Sequence, residues 1–307
     1  MKLSAFSAPG RFYRGNLHTH STLSDGIFSP AEVCRRYQAE GYDFIALTDH
    51  MIGLYDYPIA DTVSFRTETF TTILGAELHS GTMQNGELWH ILAVGLPADF
   101  EPADAPGFVP VAGQETGPEL ARRAVDAGAF VAIAHPQWSG MTLEDARSLT
   151  AAHAVEIYNH GCAMGCDRAD GFQYADLMLS EGRDLTMIAT DDAHFSELDH
   201  FGGWVMVRSE TLDPEALLSA LKAGNFYSSQ GPEMHVVEII DDTVIVESSS
   251  VVSVIIQGHG SASQASHGTS MTRTEIPLTR CKPSSWLRVT LIDAAGKRAW
   301  TNPIRHT

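Results

Sequence analysis

"FIALTDH", residues 44–50, is an apolar run that ends in an aspartate and a histidine. Short apolar runs rich in branched residues are typical of strands buried on both faces, as in a parallel sheet. Five further runs share this character: 72–76 (TILGA), 91–95 (ILAVG), 130–134 (FVAIA), 154–158 (AVEIY) and 186–190 (TMIAT). The stretch therefore predicts one strand of a parallel sheet.

Helical segments lie between these runs. Ser-Pro-Ala-Glu opens the segment 29–40 with an N-cap and a proline at the first helical position, and Gly41 ends it. The segments 117–127 and 214–223 also run into glycines, and Asp213 caps the second of them. Strands that alternate with helices predict an α/β fold.

The residues that follow the predicted strands are mostly histidines and acids. In a parallel α/β fold, these strand ends meet at one face of the sheet or barrel, where active sites gather. His90 precedes its strand instead, and completes the group by residue type. The candidate metal ligands are His18, His20, Asp25, His50, Glu77, His90, His135, Asp192 and His194.

Imidazole and carboxylate are the ligands of borderline divalent ions such as zinc, manganese and iron. His18 and His20 are two residues apart on an extended segment, so both side chains point the same way and one ion can bind both. Each motif alone is weak, because an isolated His-Pro-Gln or Asp-Ala-His is often only a polar turn. The whole set predicts two or three divalent ions.

These motifs, in this order, resemble those of the polymerase and histidinol phosphatase (PHP) superfamily: His18-Thr19-His20, Ser24-Asp25-Gly26, Leu47 to His50, Gly75-Ala76-Glu77, His135-Pro136 and Asp192-x-His194. The resemblance covers residues 12–225. It implies a distorted seven-stranded (β/α)7 barrel that hydrolyses phosphoesters at a multinuclear metal site.

The resemblance also implies how the ligands divide among the ions. His18, His20, Glu77 and Asp192 would surround one ion. A second ion would bind Glu77, His90 and His135, so that Glu77 bridges the two ions. A third would bind Asp25, His50 and His194.

After residue 230 the sequence alternates β-branched and polar residues, as in 235–258, where Asp241 and Asp242 form a predicted hairpin turn. The segment 284–300 predicts another hairpin. We therefore expect a metallohydrolase domain over residues 1–230 and a small, sandwich-like all-β domain over 231–307. Together with the motifs at 158–160, 190–194 and 226–232, this layout resembles a narrower, carbaryl-hydrolase-like branch of the superfamily.

Composition limits the partners. The net charge is −18, with only four lysines, so no basic surface is present to bind long nucleic acids. No segment resembles a signal peptide or a membrane span, which predicts a cytoplasmic protein. Four scattered cysteines do not form a disulfide framework. The oligomeric state is left open between a monomer and a homo-oligomer.

The expected chemistry is metal-assisted hydrolysis, since two adjacent divalent ions lower the pKa of water to about 7. No nucleophilic serine motif, P-loop or dinucleotide-binding motif competes with it. Arg168 is the candidate phosphate-binding cation, and His160 or His153 the candidate proton donor to the leaving group. Asp191 and Asp49 are candidates for orienting imidazoles. Glu156 lies within a strand and points either inward or outward.

Two enzyme classes and one binding class remain open. The first is a phosphoesterase acting on a small phosphorylated metabolite or nucleotide. The second is a metal-dependent carboxylic or carbamic ester or amide hydrolase. The third, a metal-stabilised module without activity, is disfavoured because all nine candidate ligands are present.

Overall fold

Sixteen strands and seven α-helices follow one another in residues 4–305, the part of the chain that this computed structural model describes. The strands are β1 Arg11–Asn16, β2 Phe44–Leu47, β3 His50–Met51, β4 Thr71–Thr82, β5 Leu88–Val94, β6 Phe130–Ile133, β7 Ala154–Asn159, β8 Thr186–Thr190, β9 Trp204–Ser209, β10 Phe226–Ser229, β11 Met234–Ile240, β12 Thr243–Gly258, β13 Ser263–Pro277, β14 Trp286–Ile292, β15 Arg298–Thr301 and β16 Ile304–Arg305.

The helices are α1 Ser4–Ser7, α2 Pro30–Ala39, α3 Gly117–Asp126, α4 Leu143–Ser148, α5 His160–Cys166, α6 Phe172–Ser180 and α7 Pro214–Lys222. The six predicted strands of the first part of the chain are confirmed, as are the predicted helices α2, α3 and α7. Their capping follows the sequence: the Ser29 side chain accepts a hydrogen bond from the Glu32 backbone N–H, and Asp213 accepts one from Glu215. None of the helices in residues 4–305 is long and apolar enough to cross a membrane.

The sheet is mixed, which corrects the expectation of parallel pairing throughout. β1 pairs with β2, β2 with β4, β6 with β7 and β7 with β8 in parallel, but β5 is antiparallel to both of its neighbours, β4 and β6. Only residues 83–87 connect β4 to β5. A parallel crossover needs a dozen or more residues, so this short link dictates a hairpin.

The reversal of β5 determines where His90 lies. In the β4–β5 hairpin, His79 is paired directly with His90. The beginning of β5 therefore lies at the same end of the sheet as the carboxyl ends of the parallel strands. His90, the third residue of β5, therefore reaches the same face as the residues that follow the parallel strands.

The segment that follows β1 and the segment that follows β8 contact each other. Thr19 and Ala193 form a parallel bridge, the His20 N–H donates to the Ala193 carbonyl (2.9 Å), and the Asp192 N–H donates to the His18 carbonyl (2.8 Å). This contact brings the two halves of the predicted ligand set together.

Every described element after α7 is a strand, and the predicted hairpins β11–β12 and β14–β15 are confirmed. Asp241 and Asp242 both have positive φ, as the turn of a two-residue hairpin requires. These strands continue the same sheet, because β10 pairs with β9 on one side and with β15 on the other. The buried Arg288 of β14 forms an ion pair with the half-buried Asp176 of α6, so these strands pack against the helices of the first part of the chain.

Candidate metal centre

All nine predicted ligands lie at one end of the sheet. Six are buried, Asp192 and His194 are half-buried, and Asp25 is exposed. Their donor atoms fall into overlapping groups within 4.8 Å of one another. The groups are His18, His20 and Asp192; His18, Glu77 and His135; His50, Glu77, His79 and His90; and His20, Asp25, His50 and His194.

The carboxylate of Glu77 faces two ligand sets with its two oxygens. Oε1 lies 2.8 Å from His90 Nδ1 and 3.0 Å from His135 Nε2. Oε2 lies 2.7 Å from His50 Nδ1, 3.5 Å from His18 Nε2 and 3.7 Å from His20 Nε2. One carboxylate therefore touches both sets, which is the arrangement that a bridging ligand requires.

Three of these ligands, His18, His20 and Asp192, have the dimensions of a single metal site. Asp192 Oδ1 lies 3.3 Å from His18 Nε2 and 3.0 Å from His20 Nε2, and Glu77 Oε2 borders the two imidazoles at 3.5 and 3.7 Å. Ligands about 2.0–2.1 Å from a tetrahedral ion are separated from one another by about 3.4 Å. The observed separations lie on either side of this value.

A further set surrounds Asp25 at the edge of the cluster. Its Oδ1 lies 3.3 Å from His194 Nε2, and its Oδ2 lies 3.5 Å from His50 Nε2. Both imidazoles present the same nitrogen to this carboxylate. The three residues that the resemblance assigned to a third ion are thus adjacent.

Two buried polar atoms in the cluster have no hydrogen-bond partner. These are His18 Nε2 and Glu77 Oε2, which face each other; the nitrogen nearest to Oε2, His50 Nδ1 at 2.7 Å, is hydrogen-bonded to His79 instead. Leaving a buried polar atom unpaired costs about 1–3 kcal/mol, so such atoms are rare unless a ligand satisfies them. A divalent ion between them would satisfy both, and the residues therefore fit a metal.

The second nitrogen of several imidazoles is held by a partner behind the cluster. His18 Nδ1 lies 3.0 Å from Glu156, and His135 Nδ1 lies 3.0 Å from the Ser139 hydroxyl. The Nδ1 of His194 lies 3.0 Å from the backbone carbonyl of Asp192. Such contacts fix the tautomer of a metal-binding histidine and leave Nε2 free to bind the ion.

Glu156 was left with two orientations by the sequence, and the structure points it inward. It is fully buried, and each of its oxygens accepts two hydrogen bonds. Oε1 accepts from His18 and the Thr190 hydroxyl, whereas Oε2 accepts from the His135 backbone N–H (2.6 Å) and the Asn159 amide (2.9 Å). A charged residue within an apolar strand was the signal, because a buried carboxylate must be paired.

His79 was missed by the sequence analysis. It is buried beneath His50, with its Nδ1 donating to the Trp89 carbonyl (3.1 Å). Its Nε2 must then accept from His50 Nδ1, at 2.9 Å. This hydrogen bond leaves His50 Nε2 directed at Asp25. The His79–His90 pairing of the hairpin places His79 here, and no strand-end motif marks it.

The charges of the buried groups balance one another. Burial alone would raise the pKa of Glu77, but His50 and His90 hold it well below the usual value. Burial would lower the pKa of His50, yet the Glu77 carboxylate raises it to about 10. Burial lowers the pKa of His20 to about 3, with further repulsion from His194 and His50. Without a metal ion, Glu77 is therefore anionic, His20 is neutral and His50 carries a proton that a bound metal ion would displace.

The ligands open into a cavity of about 860 Å³. Arg168 lines this cavity, and no other arginine or lysine among the described residues does so. Its exposed side chain forms no described hydrogen bond or ion pair, which leaves the guanidinium free to bind an anion. Phe108 and Trp138 line the cavity from another side.

Asp191 and Asp49 do not touch an imidazole, contrary to expectation. Asp191 accepts hydrogen bonds from the Tyr37 hydroxyl and from three backbone N–H groups of residues 201–203. Asp49 accepts from the backbone N–H and hydroxyl of Ser21 and from the Ser24 hydroxyl. Both carboxylates are occupied by loop backbone and hydroxyl donors, so they stabilise the loops that carry the ligands.

The two predicted proton donors lie outside the cavity. His160 Nδ1 lies 2.9 Å from the Tyr158 hydroxyl, and the ring packs against Gly202. His153 precedes β7, at the end of the strand opposite the cluster, and its Nδ1 accepts from the Val131 N–H. Neither the His160 nor the His153 side chain lines the cavity.

Comparisons with solved structures show related folds. A two-domain protein from Bacteroides vulgatus that contains a predicted PHP-like metal-dependent phosphoesterase is 16% identical, with a TM-score of 0.55 over 97% of this chain and 98% of that chain. An amidohydrolase from Chromobacterium violaceum is 16% identical, with a TM-score of 0.43 over 59% of this chain and 87% of that chain. The first similarity shows a shared mixed α/β fold, and the second is too low to support an inference.

No curated protein matches the sequence. The model of the PHP domain, however, matches residues 16–174, slightly more than half of the chain. The matched segment contains seven of the nine candidate ligands, from His18 to His135. By this match, the chain belongs to the PHP domain family.

Proposed function

We propose that this PHP domain protein is a metal-dependent phosphoesterase that acts on a small phosphorylated metabolite or nucleotide. One observation carries the proposal: the Glu77 carboxylate is shared by two ligand sets at the base of a cavity in which Arg168 is the only arginine or lysine among the described lining residues. A phosphoester is an anion, and this cavity offers it one charge-matched guanidinium.

The residues that would hold the ions are those the resemblance assigned. His18, His20 and Asp192 with one oxygen of Glu77 would hold the first ion, and His90 and His135 with the other oxygen the second. Asp25, His50 and His194 would hold a third. When bound, such ions supply a water of lowered pKa and polarise the ester oxygen. Zinc, manganese and iron all suit these ligands.

The residues of the chain itself orient the ester and position the ligands. Arg168 would bind the phosphoryl oxygens and hold the phosphorus over the cluster. Glu156 and His79 hold the imidazoles of His18 and His50 in one tautomer. The cavity volume of about 860 Å³ suits a small molecule, and a long nucleic acid would also meet a net charge of −18.

A metal-dependent carboxylic or carbamic ester or amide hydrolase is the alternative. Its substrate is neutral at the reacting bond and has no need of Arg168, whereas the apolar side chains Phe108 and Trp138 would suit it. The unpaired guanidinium of Arg168 favours the phosphoesterase.

The finer architecture is proposed on the same basis. A distorted (β/α)7 barrel over residues 1–230 would be closed by the contact between Thr19 and Ala193. A small all-β domain over 231–307 would dock on α6 through Arg288. The sequence also supports two proposals: the protein belongs to the carbaryl-hydrolase-like branch, and it is located in the cytoplasm. It is either a monomer or a homo-oligomer.

The test combines metal analysis of the purified protein with hydrolysis assays of phosphomonoesters, cyclic phosphodiesters and carboxylic esters. We expect two or three equivalents of metal and turnover of a phosphoester. Arg168→Gln should lower kcat/KM for the phosphoester by about 10–100-fold, since a charged hydrogen bond contributes about 1.5–3 kcal/mol. Turnover of carboxylic esters alone, unaffected by Arg168→Gln, would favour the alternative.

A further inference from the structure

The cavity has two chemically different sides. One carries polar groups: Cys166, Arg168, Ser196, Glu197 and Asp199. The other carries the apolar side chains of Met83, Leu88, Phe108 and Trp138, with Asn85 and Glu87 in the link between the first two. The metal ligands lie between the two sides, so a substrate bound over them contacts both.

Trp138 lies directly on the ligands of the second metal set. Its ring is 4.7 Å from that of His135 and 5.4 Å from that of His90, edge-on to both. The side chain nevertheless remains 43% exposed. Part of the indole thus packs against the two imidazoles, and the rest is open to the cavity.

Trp138 is held in a rigid turn. The Ser139 N–H donates to the His135 carbonyl (3.1 Å), and the Met141 N–H donates to the Pro136 carbonyl (3.0 Å). The Tyr174 hydroxyl fixes the end of the turn by donating to the Met141 carbonyl (2.6 Å). The backbone of Trp138 is therefore positioned in advance, which lowers the cost of ordering the indole upon binding.

Phe108 extends the apolar side from a different segment. Its ring lies 4.9 Å from that of His50 and remains 41% exposed. The ring is parallel to that of His90 within 16°, at 6.5 Å. Two large apolar side chains left open at the mouth of a cavity are unusual unless an apolar group covers them.

We propose that the substrate carries a flat apolar ring in its leaving group, which packs on Trp138 and Phe108 while the phosphoryl group points toward Arg168. This inference rests on the phosphoesterase function proposed above. In the reaction, the water oxygen bonds to phosphorus and the bond from phosphorus to the leaving oxygen breaks. The leaving oxygen takes a proton, so that inorganic phosphate and a ring-bearing alcohol or phenol are released.

The test compares benzylphosphonate with methylphosphonate, which share the anionic group and differ by the ring. We expect the metal-loaded protein to bind benzylphosphonate at least about tenfold more tightly in calorimetric titrations, because burying an aromatic ring contributes that much. Trp138→Leu keeps an apolar side chain but removes the ring, and should reduce the preference to about threefold or less. Methylphosphonate affinity and metal content, measured for the same variant, give the baseline against which the preference is expressed.

Two further variants keep the test decisive. Phe108→Leu should also reduce the preference for benzylphosphonate. This variant tests the inference by itself if Trp138→Leu does not fold. Val109→Ala, at an exposed neighbour that does not line the cavity, should leave the preference unchanged. Equal affinity for both phosphonates would overturn the inference and leave the phosphoesterase standing. Binding of neither, with no phosphoester turnover, would overturn both.

Discussion

Glu77 and Glu156 are both fully buried glutamates on strands of the same sheet, but their carboxylates are used differently. Glu77 Oε2 has no hydrogen-bond partner and faces His18 Nε2, whereas each oxygen of Glu156 accepts two hydrogen bonds. The first lies in the layer of side chains that lines the cavity. The second lies in a layer beneath it that holds the ligands. Burial alone thus does not distinguish a ligand from its support; the unpaired atom does.

Glu77→Gln should have the largest effect on metal binding. A neutral amide offers a single oxygen, so it cannot bridge two ions. We expect the variant to lose metal from both sets, with a decrease in affinity larger than the roughly 10–100-fold typical of an outer partner. Metal analysis and phosphoester turnover should fall together.

Glu87→Gln is the matched control, because Glu87 is an exposed glutamate that lines the same cavity. It should retain full metal content. If Glu77→Gln also kept its full metal content and activity, Glu77 would not be the bridging ligand, and the contrast with Glu156 would lose its basis.

Glu156→Gln should have an intermediate effect. The Gln amide NH₂ cannot face the His135 backbone N–H, so it must occupy the position of Oε1 beside His18. There it donates to His18 Nδ1 and places the ring proton on Nε2, the nitrogen that faces Glu77. We expect metal affinity to fall by about 10–100-fold.

The readout for Glu156→Gln is metal affinity by competition with a chelator, measured beside the Tm of the metal-free protein. Glu68→Gln, at an exposed glutamate in the loop before β4, serves as the control for loss of a carboxylate. A lower Tm with unchanged metal affinity would mean that Glu156 only stabilises the fold.

The layer that lines the cavity could be predicted from the sequence because its residues follow strands. His50, Glu77 and His135 each come at or just after an apolar run, and a parallel α/β fold brings such positions together. The supporting layer could not be predicted in the same way. Glu156 lies within a strand, where either face is open to it until neighbouring strands are placed.

His90 shows the limit of that reasoning. A fully parallel sheet would have put the beginning of β5 at the end remote from the site. The link 83–87 is too short for a parallel crossover and contains Asn85-Gly86, a hairpin turn pair. The positions of His90 and His79 therefore follow from the length of the link between β4 and β5, not from the composition of the strands. The docking of the C-terminal strands depends on contacts between residues distant in sequence, such as the partly buried ion pair of Arg288 with Asp176.

His79→Phe should have a smaller effect, confined to the set around Asp25. Phenylalanine fills the space but removes the acceptor of His50 Nδ1. Glu77 Oε2 remains only 2.7 Å from that nitrogen and can accept in its place. We expect the most weakly bound ion to lose less than about tenfold in affinity. Stepwise metal titration followed by calorimetry measures this loss, with His259→Phe in an exposed turn as the control. Loss of the ions held by Glu77 would instead place His79 in their direct support.

Asp191→Asn should leave metal binding unchanged, although Asp191 adjoins the ligand Asp192. Its carboxylate accepts from the Tyr37 hydroxyl and the backbone N–H groups of residues 201–203, and none of these is a ligand. An asparagine NH₂ would face a donor in either orientation, which costs about 1–3 kcal/mol of stability. We therefore expect a lower Tm with full metal content and nearly unchanged kcat. A variant with normal Tm and full metal content but no turnover would show that Asp191 has a catalytic role, because only contact with the substrate could then explain the loss.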